Sequence, residues 1–127
     1  MSLDFFIKNQ LARNQAPQRN FHIVVATASA SRSLTVLESG ATCTNLGNSG
    51  SATFQLPDTR GIAGVVFAFK LQVAQALIVD PGAYGAFYTS SKGTDDVTLT
   101  ADAIGEWMIV ESDGQGDWIC QTSGTWS

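Results

Sequence analysis

The sequence predicts an all-β protein, an antiparallel β-sandwich or jelly-roll-like body of about eight strands behind a short N-terminal helical arm. Three observations predict it. From residue 22 onward apolar side chains recur at every second position, the period of a half-buried strand. Clusters of Gly, Pro, Asp and Ser divide these runs at roughly the 8–12-residue spacing of sandwiches and barrels. The chain has 127 residues, 44% apolar and only 14% charged, enough for one domain with a core and too few for two. The expected division is an arm and linker over 1–21 and a β body over 22–127.

The arm, "SLDFFIKNQLARN", reads as helix. Leu3, Phe6, Ile7 and Leu11 form one apolar stripe at i, i+3, i+4 and i+8. Ser2 is placed to cap it, and Asp4 and Arg13 oppose the two ends of its dipole. About three turns of helix are marginal alone in water, so the stripe is expected to dock on something. "NQAPQRN" follows as a linker.

The body then reads strand by strand. "HIVVATA" and "RSLTVLESG" come first. "SATFQLP" places Ala52, Phe54 and Leu56 on one face, and Pro57 ends it because proline cannot donate to a ladder. "GVVFAFKLQV" points Val65, Phe67, Phe69, Leu71 and Val73 inward and Lys70 and Gln72 outward. "ALIVD", "GAFYTS", "DVTLTA", "EWMIVES" and "DWICQTS" follow, separated by "DPGAYG", "SSKGTDD" and "SDGQGD". "TADAIGEW" is either one helical turn or a loop. Trp107 and Trp118 are expected in the core, as are Cys43 and Cys120, which lack C-x-x-C spacing and are expected to be reduced.

Charge is unevenly distributed. The net charge is −4, with +3 over residues 1–32 and −7 over 33–127. A basic leader on an acidic body suits a leader that meets a negative surface. Basic residues do not cluster on the body, so nucleic-acid binding lacks its electrostatic footprint. No apolar run reaches signal-peptide or membrane-spanning length, which predicts synthesis in the cytoplasm and no membrane partner.

Catalytic patterns are sparse. His22 is the lone histidine, at the junction of linker and first strand, a poor place for the base that nucleophilic catalysis needs. Glu106 with Glu111, or Asp95 with Asp96, are the carboxylate pairs a glycoside hydrolase would use, but each lies at a strand end or turn. "ESDGQGDW" lacks the ligand order of a calcium loop, and a tight hairpin accounts for its glycines and acids. "GNSGSAT" precedes a strand and has no lysine, so it is no phosphate cradle. No metal, cofactor or catalytic residue is therefore expected. Tyr84 and Tyr88, in or near "DPGAYGAFYTS", are the best candidates for an exposed loop contact such as stacking on a sugar.

"TVLESGATCTNLGNSGSATFQLP", "GVVFAFKLQVAQALIVDPG" and "LTADAIGEWMIVESDGQGDWICQTSGTWS" together resemble a small β module of tailed-bacteriophage structural proteins. Residues 39–42, Asn45, Gly47, residues 54–57, Gly64, Phe67, Leu77, Val79, Pro81, Gly82, Trp118 and residues 124–126 carry the resemblance, which covers roughly 34–127. Such modules serve as capsid decoration (cement) proteins, head fibres and parts of tail fibres, commonly as homotrimers. The resemblance thus implies a virion part on the capsid surface, not an enzyme. Its expected partners are its own copies and the major capsid protein, which it would brace against packaged DNA. The arm lies outside the resemblance. By its own chemistry Phe5, Phe6, Ile7 and Leu11 would supply apolar contact to the capsid, and Lys8, Arg13 and Arg19 charge complementarity. The rival readings are a receptor- or glycan-binding module of a head or tail fibre and, well behind it, a small carboxylate-pair hydrolase.

Overall fold

The computed structural model describes residues 22–24 and 31–127. The helical arm expected over 1–21, with its contact residues, lies outside the described residues. Within them the protein is all-β, with ten strands: β1 (His22–Val24), β2 (Ser31–Ser33), β3 (Thr42–Thr44), β4 (Ala52–Gln55), β5 (Arg60–Lys70), β6 (Leu77–Asp80), β7 (Phe87–Tyr88), β8 (Leu99–Ala101), β9 (Trp107–Gln115) and β10 (Trp118–Ser123).

The strands form two mixed sheets, one of six in the order β1-β3-β5-β9-β10-β7 and one of four in the order β2-β4-β6-β8. From β1 to β9 each strand lies in the sheet opposite its predecessor. Over β1 to β6 the chain returns to each sheet running in its original direction, whereas β8 and β9 come back reversed beside β6 and β5. The pairs β1–β3, β3–β5, β2–β4 and β4–β6 are therefore parallel, and so is β7–β10. This corrects the antiparallel expectation, since only β5–β9, β9–β10 and β6–β8 are antiparallel. Parallel neighbours need a crossover of a dozen residues or more, commonly a helix. Here a strand of the other sheet is the crossover.

Both sheets feed one apolar core. Phe54, Leu77 and Val79 of the smaller sheet and Phe67, Phe69, Met108, Val110 and Trp118 of the larger are fully buried. Phe54 meets Phe69 across the two sheets with ring centroids 5.7 Å apart, and Phe67 meets Trp118 at 6.1 Å, separations favourable for tilted aromatic pairs. The expected inward sets of "SATFQLP" and "GVVFAFKLQV" are buried from Ala52 to Leu56 and from Val65 to Leu71, while Val73 is only half-buried.

Two expectations need correcting. "RSLTVLESG" is not one strand. After β2 it forms a 3-10 turn at Val36–Glu38, because Thr35 and Glu38 make the T-x-x-E capping pattern. The Thr35 amide donates to Glu38 Oε1 at 3.0 Å, and Arg32 pairs with the same carboxylate. Trp107 is not core either. Met108, Val110 and Ser112 occupy the inward positions of β9, so Trp107 faces out and is 37% exposed.

Small polar residues of "ESGATCTNLGNSG" hold backbone that the ladders leave unpaired. Asn45 is completely buried. Its Oδ1 accepts from the amides of Gln72 and Val73 at 2.9 and 3.2 Å, and its Nδ2 donates to the carbonyls of Val73 and Gln75 at 3.1 and 3.0 Å. One side chain thus fixes the β5–β6 connection. The first half of β5 shifts register twice against β9, and Gly64 there has φ +83, a conformation that suits glycine at a bulge. Ser112 Oγ accepts from the Val65 amide and donates to the Ile62 carbonyl, both at 2.9 Å. Ser39 Oγ accepts from the Val66 amide at 3.0 Å.

Cys43 and Cys120 are free and buried, and burial pushes both thiols up to about 12. Thiolate is the reactive form, so at pH 8 both should react with a disulfide reagent at least ~10³-fold more slowly than a free thiol. Titration after unfolding, without added reductant, should find two thiols per chain. A count of none would mean a bridge.

Candidate functional site

Two places merit description, a cleft at one end of the strands and the outer face of the six-stranded sheet. The cleft, of about 300 Å³, lies between the β4–β5 connection, the β6–β7 loop and the β9–β10 hairpin, with Leu34, Leu56, Pro57, Pro81 and Tyr84 among its walls. Gly85 lets the loop and the hairpin approach closely. A Cβ there would stand 2.6 Å from the Pro81 carbonyl oxygen and 2.8 Å from that of Gly116.

Tyr84 is 57% exposed at this cleft. The Arg60 guanidinium lies over its ring, 3.7 Å from the centroid. Asp58 fixes that guanidinium, accepting from Arg60 Nε at 3.0 Å and from Nη2 at 2.7 Å. Hydrogen bonds from Arg60 hold the Asp58 carboxyl below its usual range. All three groups are solvent-exposed, so the arrangement orients the ring more than it stabilises the fold. Tyr88 is elsewhere. It pairs with Ile119 on the six-stranded sheet, alternates with buried Phe87 and is half-buried. The structure does not bring the two tyrosines together.

Of the acids in these turns and strands, Glu106, Asp113 and Asp117 are occupied in ways the sequence does not reveal. Glu106 accepts from the amides of Thr125 at 2.7 Å and Ala103 at 3.0 Å, while Glu111 stands exposed in mid-β9 on the outer face. They do not flank a common cleft. Asp113 Oδ1 accepts from the amides of Gln115 and Asp117 within its own hairpin, at 2.8 and 3.1 Å. Asp117, itself buried, accepts from the Ala86 amide at 3.0 Å and pairs with Lys92 at 3.2 Å. Asp95 and Asp96 lie in an exposed turn. Among the described residues no group of three His, Cys, Asp or Glu side chains could hold a metal ion, and no helix is long and apolar enough to cross a membrane.

Glu106 has a structural task with a pH signature. Hydrogen bonds from the Thr125 and Ala103 amides lower its pKa. A carboxylate with a depressed folded-state pKa contributes stability above its unfolded pKa and loses it as pH falls through the folded one. The chain end it holds pairs Ser127 with Thr100 of β8 at 2.8 and 3.0 Å and packs Trp126 on the core. Acidification below pH 4, the usual carboxylate range, should therefore release the tail before the β spectrum is lost, read as an early change in tryptophan emission. In Glu106→Gln that early step should be absent.

The outer sheet face was not legible as a site. β5, β9 and β10 place Val66, Ala68, Trp107, Ile109 and Ile119 side by side there, with Ala68 opposite Ile109. Trp107, Ile109 and Ile119 are 37%, 38% and 50% exposed. "EWMIV" carried the available signal, because a strand apolar at successive positions is apolar on both faces. The contact residues of the arm, Phe5 to Lys8, Leu11, Arg13 and Arg19, lie outside the described residues. Scanned against protein-family models, the chain matches none, and it matches no curated protein.

Proposed function

We propose that the protein is a virion structural subunit, a capsid decoration (cement) protein that seats as a homotrimer on the major capsid protein of a tailed phage and stabilises the head. The two sheets are read as the layers of a jelly-roll-like β-sandwich. The observation that carries the proposal is the apolar outer face of the larger sheet, where Trp107, Ile109 and Ile119 stay accessible on a body with few charges. Such a surface suits permanent assembly better than a solitary domain. The commitment of Glu106, Asp113 and Asp117 to backbone amides is in keeping with a structural role, and the motif positions Asn45, Trp118 and Trp126 take up packing and hydrogen bonding. The basic, apolar-striped segment 1–21 would join the body to an acidic groove on the capsid.

Removing residues 1–20 tests the attachment. The truncated chain should keep its β spectrum and most of its melting stability but no longer bind particles that lack the protein, as seen by imaging. Neutralising Lys8, Arg13 and Arg19 together should weaken attachment and reduce its salt sensitivity. Unfolding of the truncated chain would assign the segment to the body's own core, and normal decoration would place the capsid contact on the body. The fibre reading, a receptor- or glycan-binding module, draws on the braced Tyr84 ring at its cleft. Glycan-array binding that Tyr84→Ala abolishes would favour it.

A further inference from the structure

We infer that the outer face of the six-stranded sheet is the surface on which copies of this chain bind one another; this rests on the homotrimeric assembly proposed above and assigns its contact face. The face is continuous. Tyr88 pairs with Ile119, Ile119 with Glu111 and Glu111 with Val66, while one row along Ile109 pairs with Ala68 and the next sets Trp107 beside Lys70. From β5 to β7 and from Trp107 to Glu111 the footprint is roughly 300 Å², from ordinary strand spacing and rise. A stable interface buries about 800 Å² per partner, so this footprint would be its centre only, with Gln121 and Ser123 interleaved among the apolar side chains and outward Thr42 at its edge.

Two properties select a second copy as the occupant. The first is charge. Residues 33–127 carry −7, yet among the described residues the stretch of this face from Trp107 to Glu111 bears one cation, Lys70, and one anion, Glu111. Acidic bodies can meet there without like-charge repulsion, whereas a strongly charged foreign partner would find nothing to pair with. The second is relief. Large Ile109 on β9 stands directly opposite small Ala68 on β5, with Trp107 opposite Lys70 and Val66 opposite Glu111 in the flanking rows, so the face sets a raised side chain beside a shallow one. Sheets pack face to face by interdigitation of such side chains.

The full-length chain tests this by sedimentation equilibrium. It should associate, and Ile109→Arg and Ile119→Arg should each weaken association at least about thirtyfold, the effect of losing a hot-spot residue. Both positions are substantially exposed, so each variant should keep the parental β spectrum, and Ile119→Arg decides the matter if Ile109→Arg fails to fold. Leu37→Arg, at a position 90% exposed in the 3-10 turn, should associate like the parent. A monomeric parent, or association unchanged in both face variants, would overturn the inference. So would a monomeric parent whose attachment to particles is lost in Ile109→Arg, because the face would then belong to a capsid contact. A chain that associates through this face but never binds particles would sink the decoration reading and leave the face assignment standing.

Discussion

Asn45→Ala should cost about 2–4 kcal/mol, a fall in melting temperature of roughly 8–16 °C for a chain of this size. The side chain is completely buried and makes four hydrogen bonds to the backbone of residues 72–75. Alanine removes all of them at once. The amides of Gln72 and Val73 and the carbonyl of Gln75 then need water, which part of the connection can reach, so the cost falls short of four full desolvation penalties. Asn45→Asp is the sharper test. It keeps the shape and both acceptor contacts but turns an oxygen toward the carbonyls of Val73 and Gln75. Burial and those carbonyls disfavour the charged form, so the folded-state pKa of the introduced carboxyl is raised. The resulting penalty is full above the folded pKa and shrinks as pH falls through it toward the unfolded value. Asn45→Asp should therefore be at least as unstable as Asn45→Ala at pH 7 and recover part of the difference near pH 5, measured by urea melts. Equal melts for parent and Asn45→Ala would show that the β5–β6 connection holds itself.

The role of Asn45 shows which parts of this molecule a sequence exposes. Strand alternation was readable because burial imposes it residue by residue, so Phe54, Phe67, Phe69 and Trp118 could be placed inward without knowing their neighbours. Strand direction was not readable. The turns after Gln55 and Lys70 look like hairpin turns but carry the chain into the opposite sheet, and only the partner of each strand reveals parallel pairing. Asn45 in "CTNLG" reads as a turn residue, because its four bonds go to backbone nearly thirty residues away. Tyr84 could be proposed as exposed from its loop composition. Its guanidinium brace could not, since Arg60 reaches it from another connection. The outer sheet face was missed for a different reason. Alternation marks only the face a strand buries, and Ile109 and Ile119 stand at positions where alternation alone predicts polar residues.

Trp118→Ala should be the most damaging single change in the core, costing about 3–5 kcal/mol, because a fully buried tryptophan leaves a cavity its neighbours can only partly fill. Phe67, 6.1 Å away by ring centroid, would lose its aromatic partner. Trp118→Phe should behave very differently. The indole Nε1 is buried and finds no acceptor among the described residues, whereas buried polar groups ordinarily have partners. Phenylalanine gives up part of the ring volume, a cavity cost of about 1 kcal/mol, but also removes an unpaired donor whose desolvation opposes folding by about 1–3 kcal/mol. The two effects nearly cancel. Trp118→Phe should melt within about 1 kcal/mol of the parent, and it keeps a tilted ring against Phe67. The contrast separates what the tryptophan contributes by volume from what it contributes by hydrogen bonding. A loss above about 2 kcal/mol in Trp118→Phe would mean that the N–H has an acceptor, a buried water being the simplest one. The tryptophan of the closing hairpin would then be retained for a hydrogen bond as well as for its volume.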